Sequence, residues 1–242
     1  MKLACASGAL HSSFARGDLT QLEFLDLCAH DLACDGVVLD VRHFPRTDED
    51  YLAQLKKMAA DRGLTVAAVA APEFFGSAQS AMAEVIKDAV AIGAPLISAE
   101  LVAEIASPWT EQLERLNVAT SLAKAANVTL AVRNAPGTFA ATTHDCKRVV
   151  KEADSAWLRF GPEPRNFGAG SDPAELAANS VLLWCNVGNQ SERSAGDLIR
   201  DFPAFRGHVA LDEPSGDATV TDLRAAVRSW RIALAAVELN RT

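Results

Sequence analysis

Eight short apolar runs, each followed by a longer amphipathic stretch, divide the chain from end to end. They are "LACAS" (Leu3–Ser7), "GVVLDV" (Gly36–Val41), "LTVAAVA", "APLISAE", "VTLAV", "AWLRF", "VLLWCNV" and "GHVALD". The runs are continuous rather than alternating, as expected of strands buried on both faces of a parallel sheet covered by helices. No Gly-rich dinucleotide fingerprint follows any of them. Eight such units in 242 residues fit a (β/α)8 TIM barrel better than an open doubly wound sheet. Strands are expected to begin near residues 3, 36, 64, 95, 128, 156, 181 and 207. No linker interrupts the pattern, so residues 1–242 read as a single domain.

The intervening stretches carry helix punctuation. Asp18 or Thr20 caps "DLTQLEFLDLCAHDL", and Thr47 or Asp48 caps "TDEDYLAQLKKMAADRG", which Gly63 stops. A helix around Ala78–Ile92 ends at Gly93, and a long one runs from Pro108 to Ala126. "DPAELAAN", between the sixth and seventh strands, is the shortest, and the helix near Asp197 is weakly patterned.

Composition narrows the function classes. With 23 basic against 31 acidic residues the formal net charge is -8, and no Lys/Arg cluster stands out. Nucleic acid and anionic membrane are therefore not expected partners. Five cysteines without a C-x-x-C pair read as reduced thiols in a cytoplasmic protein. The opening segment lacks a signal-peptide core, and no apolar run approaches the ~20 residues of a membrane span.

In a TIM barrel the chemistry sits where strands end and βα loops begin. Those positions hold Ser7 and His11; Asp40, Arg42 and His43; Glu73; Ser98 and Glu100; Arg133 and Asn134; Glu163, Arg165 and Asn166; Asn186 and Asn189; and Asp212 and Glu213. Taken singly, Asp40 and Asn189 read as a helix cap or loop residue, and His43 as a loop residue packed beside Phe44 and Pro45. Taken together they are harder to dismiss, since buried charges need partners. Arg133 is the sharpest case, a charge at the mouth of the buried strand "VTLAVRN".

The stretch from "GDLTQLEFLDLCAHDL" to "LTVAAVA", then "LAKAANVTLAVRN", "EPRNF" and "FRGHVALDEPSGD", resembles the xylose-isomerase-like TIM barrels, the sugar phosphate isomerase/epimerase superfamily. The resemblance implies a divalent metal held by Glu after strand five, Asp after strand six, His after strand seven and Glu after strand eight. Such a metal would polarise a carbonyl or enediolate during proton transfer. Here those positions read Arg133, Glu163, Asn186 and Asp212. A guanidinium is always protonated and has no lone pair for a metal. The expectation is therefore no metal and no cofactor, with Arg133 pairing Glu163 or Asp212 as an internal cation.

Two readings follow. In the first, preferred, the chain is a metal-independent isomerase, epimerase or related lyase acting on a small hydroxy-carbonyl compound. Glu163 and Asp212 form its acid/base pair on opposite walls of the mouth. Arg133, His43, Glu100, Asn134 and Asn186 bind a polar or anionic ligand, Arg133 through its bidentate fork. In the second, the barrel has lost the chemistry and only binds a small ligand or a partner protein. A rearranged metal site drawn from His11, Glu73, Glu100, Glu163 or His208 is a third alternative. DNA repair of the AP-endonuclease type disagrees with the acidic charge. Homodimerisation is left open.

Overall fold

Parallel strands pair in the order β6-β5-β4-β3-β2-β1-β8-β7 in the computed structural model, which describes residues 1–168, 170–187 and 195–239. The strands are β1 (Lys2–Ala6), β2 (Gly36–Asp40), β3 (Thr65–Ala70), β4 (Leu96–Glu100), β5 (Thr129–Arg133), β6 (Leu158–Phe160), β7 (Leu182–Asn186) and β8 (His208–Asp212). Each begins within two residues of the position that the apolar runs mark. The β6–β7 seam is closed by two backbone bonds: Val181 N–H donates to Phe160 O at 2.9 Å and Trp184 N–H to Pro162 O at 2.8 Å. The chain is a (β/α)8 TIM barrel.

Side-chain parity divides the strands into two cores. Leu3, Cys5, Val37, Leu39, Val209 and Leu211 face the helices. Ala4, Ala6, Val38, Ala68, Ala70, Ala210, Leu182 and Trp184 fill the interior. Alanines leave space there that the indole of Trp184 occupies, and its Nε1–H donates to Ser98 Oγ at 3.0 Å. The period of two then carries inward parity to the last residue of every strand but β6, which ends on Phe160 in the outer core. Asp40, Glu100, Arg133, Asn186 and Asp212 lie on it. Register pairs Glu100 with Arg133 and Asn186 with Asp212.

Helices cover the barrel as the punctuation requires. The helix α3 (Glu49–Asp61) buries Tyr51, Leu52, Leu55 and Ala59, and Asp48 caps it through Tyr51 N–H. The helix α4 (Gln79–Ile92) buries Met82, Ile86, Ala89 and Ile92 and stops at Gly93, whose φ of 80° suits glycine. The helix α5 spans Trp109–Ala126, α6 Thr143–Ala153, α7 Ala195–Asp201 and α8 Val220–Leu239.

Three elements depart from the sequence pattern. A helix α1 (His11–Arg16) precedes α2 (Gln21–Asp26); it is six residues long and buries no side chain fully, so it leaves no apolar periodicity to read. The helix α2 starts in a full capping box between Thr20 and Glu23 and passes into a π-helical turn at Leu27–Asp31. "PAELAAN" forms a 3-10 helix, not an α-helix, between β6 and β7. All five cysteines are buried and unpaired. No helix among the described residues is long and apolar enough to cross a membrane.

Candidate active site

Arg133 ends β5 on inward parity and stands at the centre of the mouth. Its Nε and Nη2 donate to Glu163 Oε2 at 2.9 and 2.6 Å. Nη2 also lies 2.9 Å from Asp212 Oδ2, and Nε is 4.0 Å from Glu100 Oε1. The guanidinium sits 4.1 Å above the Trp184 ring, a cation–π contact in a desolvated place. Burial works against its charge, but the Asp212 and Glu163 carboxylates hold its pKa above the ordinary arginine value. Arg133 is thus paired to both carboxylates.

The two carboxylates do not face each other across the mouth, as the sequence suggests. They converge on the same guanidinium nitrogen, because β5 carries a cation between them. Glu163 is fully engaged. It also accepts from Arg165 Nε and from Asn166 Nδ2 at 3.1 Å. Asn134 holds its backbone, accepting from Glu163 N–H at 2.6 Å and donating to Glu163 O at 3.1 Å. The Asn134 amide is therefore spent on the fold and does not line the mouth.

Asp212 is different. Its Oδ2 meets Arg133, whereas Oδ1 is buried and has no hydrogen-bond partner. A buried acceptor left unpaired costs about 1–3 kcal/mol. Burial raises the Asp212 pKa, Arg133 pulls it back, and the Glu163 charge adds to the rise. Gly8 faces this oxygen: a Cβ there would stand 3.1 Å from Oδ1. Glu100, half-buried, is likewise raised by burial, with Arg133 opposing.

Asp212, Gly8, Glu100, Arg133, Trp184, Asp40, Arg42, His11 and Glu213 line one cavity of about 180 Å³. Pockets for drug-sized ligands run to ~300–1,000 Å³, so this one suits a small molecule. Asp40 acts as the expected cap, accepting from Arg42 N–H at 2.9 Å, and also holds the Arg42 side chain at 2.6 Å on the cavity wall. Asn186 borders an adjoining cleft with Arg165 and Glu213. Ser98 is committed to Trp184, and Glu73 is exposed. Asn189 lies outside the described residues.

His43 is buried, and its partners are not Phe44 and Pro45. Its ring stacks on Phe14 at 4.2 Å, with Nδ1 2.9 Å from Ser7 Oγ and Nε2 2.9 Å from His11 Nδ1. Both nitrogens are taken, and His11 stands between His43 and the cavity. Burial pushes the His43 pKa down to about 4, His11 and Arg42 adding and Asp40 opposing. The unfolded chain binds this proton near pH 6.5 while the fold resists it. Stability from this group is complete above that value and is lost as pH falls towards 4. Urea unfolding of His43→Gln should then show a shallower acid-side decline than the parent; parallel declines would mean that His43 titrates normally.

Glycine at position 8, Trp184 and the His11–His43 contact were not legible as site features. The inward parity of Leu182, Trp184 and Asn186 is a signal that places the indole beneath the mouth. Nothing local signals that residues 11 and 43 meet.

The residues present do not fit the divalent metal that the resemblance implies. A guanidinium lies within 3 Å of both carboxylates. His208 opens β8, at the end of the barrel away from the mouth, which removes it from any rearranged ligand set. Among the described residues no group of three or more His, Cys, Asp or Glu is placed to hold a metal ion.

A family model described as "xylose isomerase-like TIM barrel" matches residues 28–198. No curated protein matches the chain in sequence. Among solved structures, D-psicose 3-epimerase with D-tagatose from Clostridium cellulolyticum H10 superposes with a TM-score of 0.79 at 14% identity, covering 97% of this chain and 99% of that one. The probable 3-DHS dehydratase involved in petrobactin synthesis from Bacillus anthracis gives 0.74 at 13%, covering 94% and 98%. A xylose isomerase-like TIM barrel/4-hydroxyphenylpyruvate dioxygenase fusion protein gives 0.76 at 14%; the match covers 95% of this chain but 42% of the fusion. At such identities the likeness shows the fold alone.

Proposed function

The chain belongs to the xylose isomerase-like TIM-barrel family, and from that premise we propose that it moves a proton on a small, neutral hydroxy-carbonyl compound, as an isomerase or epimerase does. The observation that carries this reading is the buried, unpartnered Oδ1 of Asp212, a residue that lines a small polar cavity. Asp212 is the proton acceptor, and burial raises its pKa towards the range where a carboxylate both takes and returns a proton. Arg133 supplies fixed positive charge beside a developing enediolate oxygen, in a site shielded from water. Glu163 holds Arg133 in place and takes no part in proton transfer, since three side chains already donate to it.

The charge of the cavity wall selects the substrate. Asp40, Glu100, Asp212 and Glu213 stand against Arg42 and Arg133, and both arginines are already paired to carboxylates. A phosphorylated or carboxylated substrate would meet repulsion there, so the ligand is a neutral polyol ketone or aldehyde rather than a sugar phosphate. This narrows the ligand expected at Arg133 from polar or anionic to polar.

The test is hydrogen exchange at the carbon beside the carbonyl, followed by proton NMR in heavy water for short ketoses and hydroxyketones. Exchange should persist after chelator treatment, and Asp212→Asn should slow it by about 10²-fold or more. Exchange that needs added manganese or cobalt would overturn the reading. Binding without exchange would favour the second reading, a ligand-binding barrel, which the full engagement of Glu163 supports by leaving one carboxylate where an acid/base pair needs two.

A further inference from the structure

Ser7, His43 and His11 form a hydrogen-bonded chain that leads from the buried end of β1 to the cavity, and its proton order can be worked out. Ser7 is fully buried, and its Oγ accepts from Asp40 N–H at 2.9 Å. The hydroxyl hydrogen must then go to an acceptor, since leaving it unpaired in a buried place is costly. Its other partner among the described residues is His43 Nδ1, 2.9 Å away. Ser7 is therefore the donor and His43 Nδ1 the acceptor.

A neutral imidazole that accepts at Nδ1 carries its hydrogen at Nε2. His43 is kept neutral by its burial. Its Nε2–H donates to His11 Nδ1 at 2.9 Å. His11 Nδ1, as the acceptor of that hydrogen, carries none, so the His11 hydrogen stands at Nε2. That nitrogen has no protein partner among the described residues, and His11 lines the cavity that Asp212 also lines.

We propose that Ser7 and His43 are positioning residues that fix His11 as a neutral N–H donor, and that His11 binds the carbonyl oxygen of the substrate opposite the proton acceptor Asp212. The assignment of His11 to a substrate oxygen rests on the function proposed above; the proton order of the relay does not. A neutral imidazole strengthens a bond to a carbonyl oxygen as negative charge grows on it, without having to give up its proton. Asp212 and His11 line the same cavity, and each keeps one polar atom without a protein partner among the described residues. That is the pair that a hydroxy-carbonyl compound needs, one for the proton leaving and one for the oxygen gaining charge. The opposite proton order, with hydrogen at Nδ1 on both rings, leaves the Ser7 hydroxyl hydrogen with no acceptor.

Long-range proton–nitrogen NMR of the nitrogen-15-labelled full chain at pH 7 reads the tautomers directly, with His11 and His43 assigned by single substitution. Both rings should be in the Nε2–H form; an Nδ1–H form at either ring overturns the relay. Ser7→Ala should bring a population of Nδ1–H into both rings, and Ser7→Thr should restore the parent spectrum. Tautomers unchanged in Ser7→Ala overturn the role of Ser7, and if that variant fails to fold the parent spectrum alone decides. In the exchange assay His11→Phe should lower kcat by about 10²-fold, and an unchanged rate overturns the donor role. A parent chain that exchanges no hydroxyketone overturns both the catalytic use of His11 and the function proposed above, while the spectra still decide the relay.

Discussion

Replacing Arg133 with alanine should cost about 3–5 kcal/mol of stability, read from urea unfolding, because it leaves a buried carboxylate without its cation. The loss falls unequally on the partners. Glu163 keeps Arg165 and Asn166. Asp212 already has one oxygen unpartnered and would lose the guanidinium from the other. Its pKa would then climb further above the unfolded value. A carboxylate with a raised folded pKa gives stability that is present at low pH and lost as pH rises through that pKa. The cost should therefore be larger at pH 8 than at pH 5. Arg133→Ala with Asp212→Asn should recover a large part of it, and Arg133→Lys should restore only part, since an ammonium can meet both carboxylates as Nη2 does but lacks the Nε bond to Glu163 and cannot lie flat on Trp184. A single-variant loss below about 1 kcal/mol, the size of a surface pair, would mean that the guanidinium is not buried with its partners.

Reversing the charge should turn stability into a function of metal concentration. Arg133→Glu would place a carboxylate beside Glu100 in register and facing Glu163 and Asp212. Four acidic groups with only Arg165 left beside Glu163 repel, so the variant alone should melt well below the parent. A divalent cation that binds only the folded chain restores stability by mass action, about 2.7 kcal/mol at 100 times its dissociation constant. Manganese or cobalt should raise the melting temperature of the variant, and a chelator should reverse the gain. The parent should show neither effect. Adding Asn186→His should tighten binding, because Asn186 pairs in register with Asp212 and imidazole is a good ligand for both metals. If neither variant responds to metal, β5 and its neighbours do not retain the geometry of a cation site.

The barrel was legible because a parallel sheet buried on both faces writes itself as unbroken apolar runs such as "GVVLD" and "LLWCN". Thr20, Asp48 and Gly93 were legible for a similar reason, since caps and stops act on their own turn of helix. The pairing of Arg133 with Glu163 and Asp212 could be read because a charge in that place has few ways to be satisfied. Their convergence on one nitrogen could not, since it depends on how far strands five, six and eight curve round the mouth. The histidine pair was out of reach for the same kind of reason: two βα loops meet only once the barrel is closed. The 3-10 turn at Pro173–Asn179 was missed because a run of Ala, Glu and Leu suits an α-helix locally, and only its shortness argued otherwise.

The cation over Trp184 is part of the polypeptide, and that changes how its charge behaves in time. A bound ion has an exchange rate, an occupancy and rivals; the guanidinium on β5 is present once per chain from the moment of folding. Neither scarcity of a metal nor an intruding one alters it. The same permanence sets a limit. A metal accepts an incoming oxygen into its coordination sphere by shedding water, whereas a guanidinium offers hydrogens in a fixed plane. Any molecule entering this mouth has to arrive along those hydrogens or leave Arg133 to the carboxylates that already hold it.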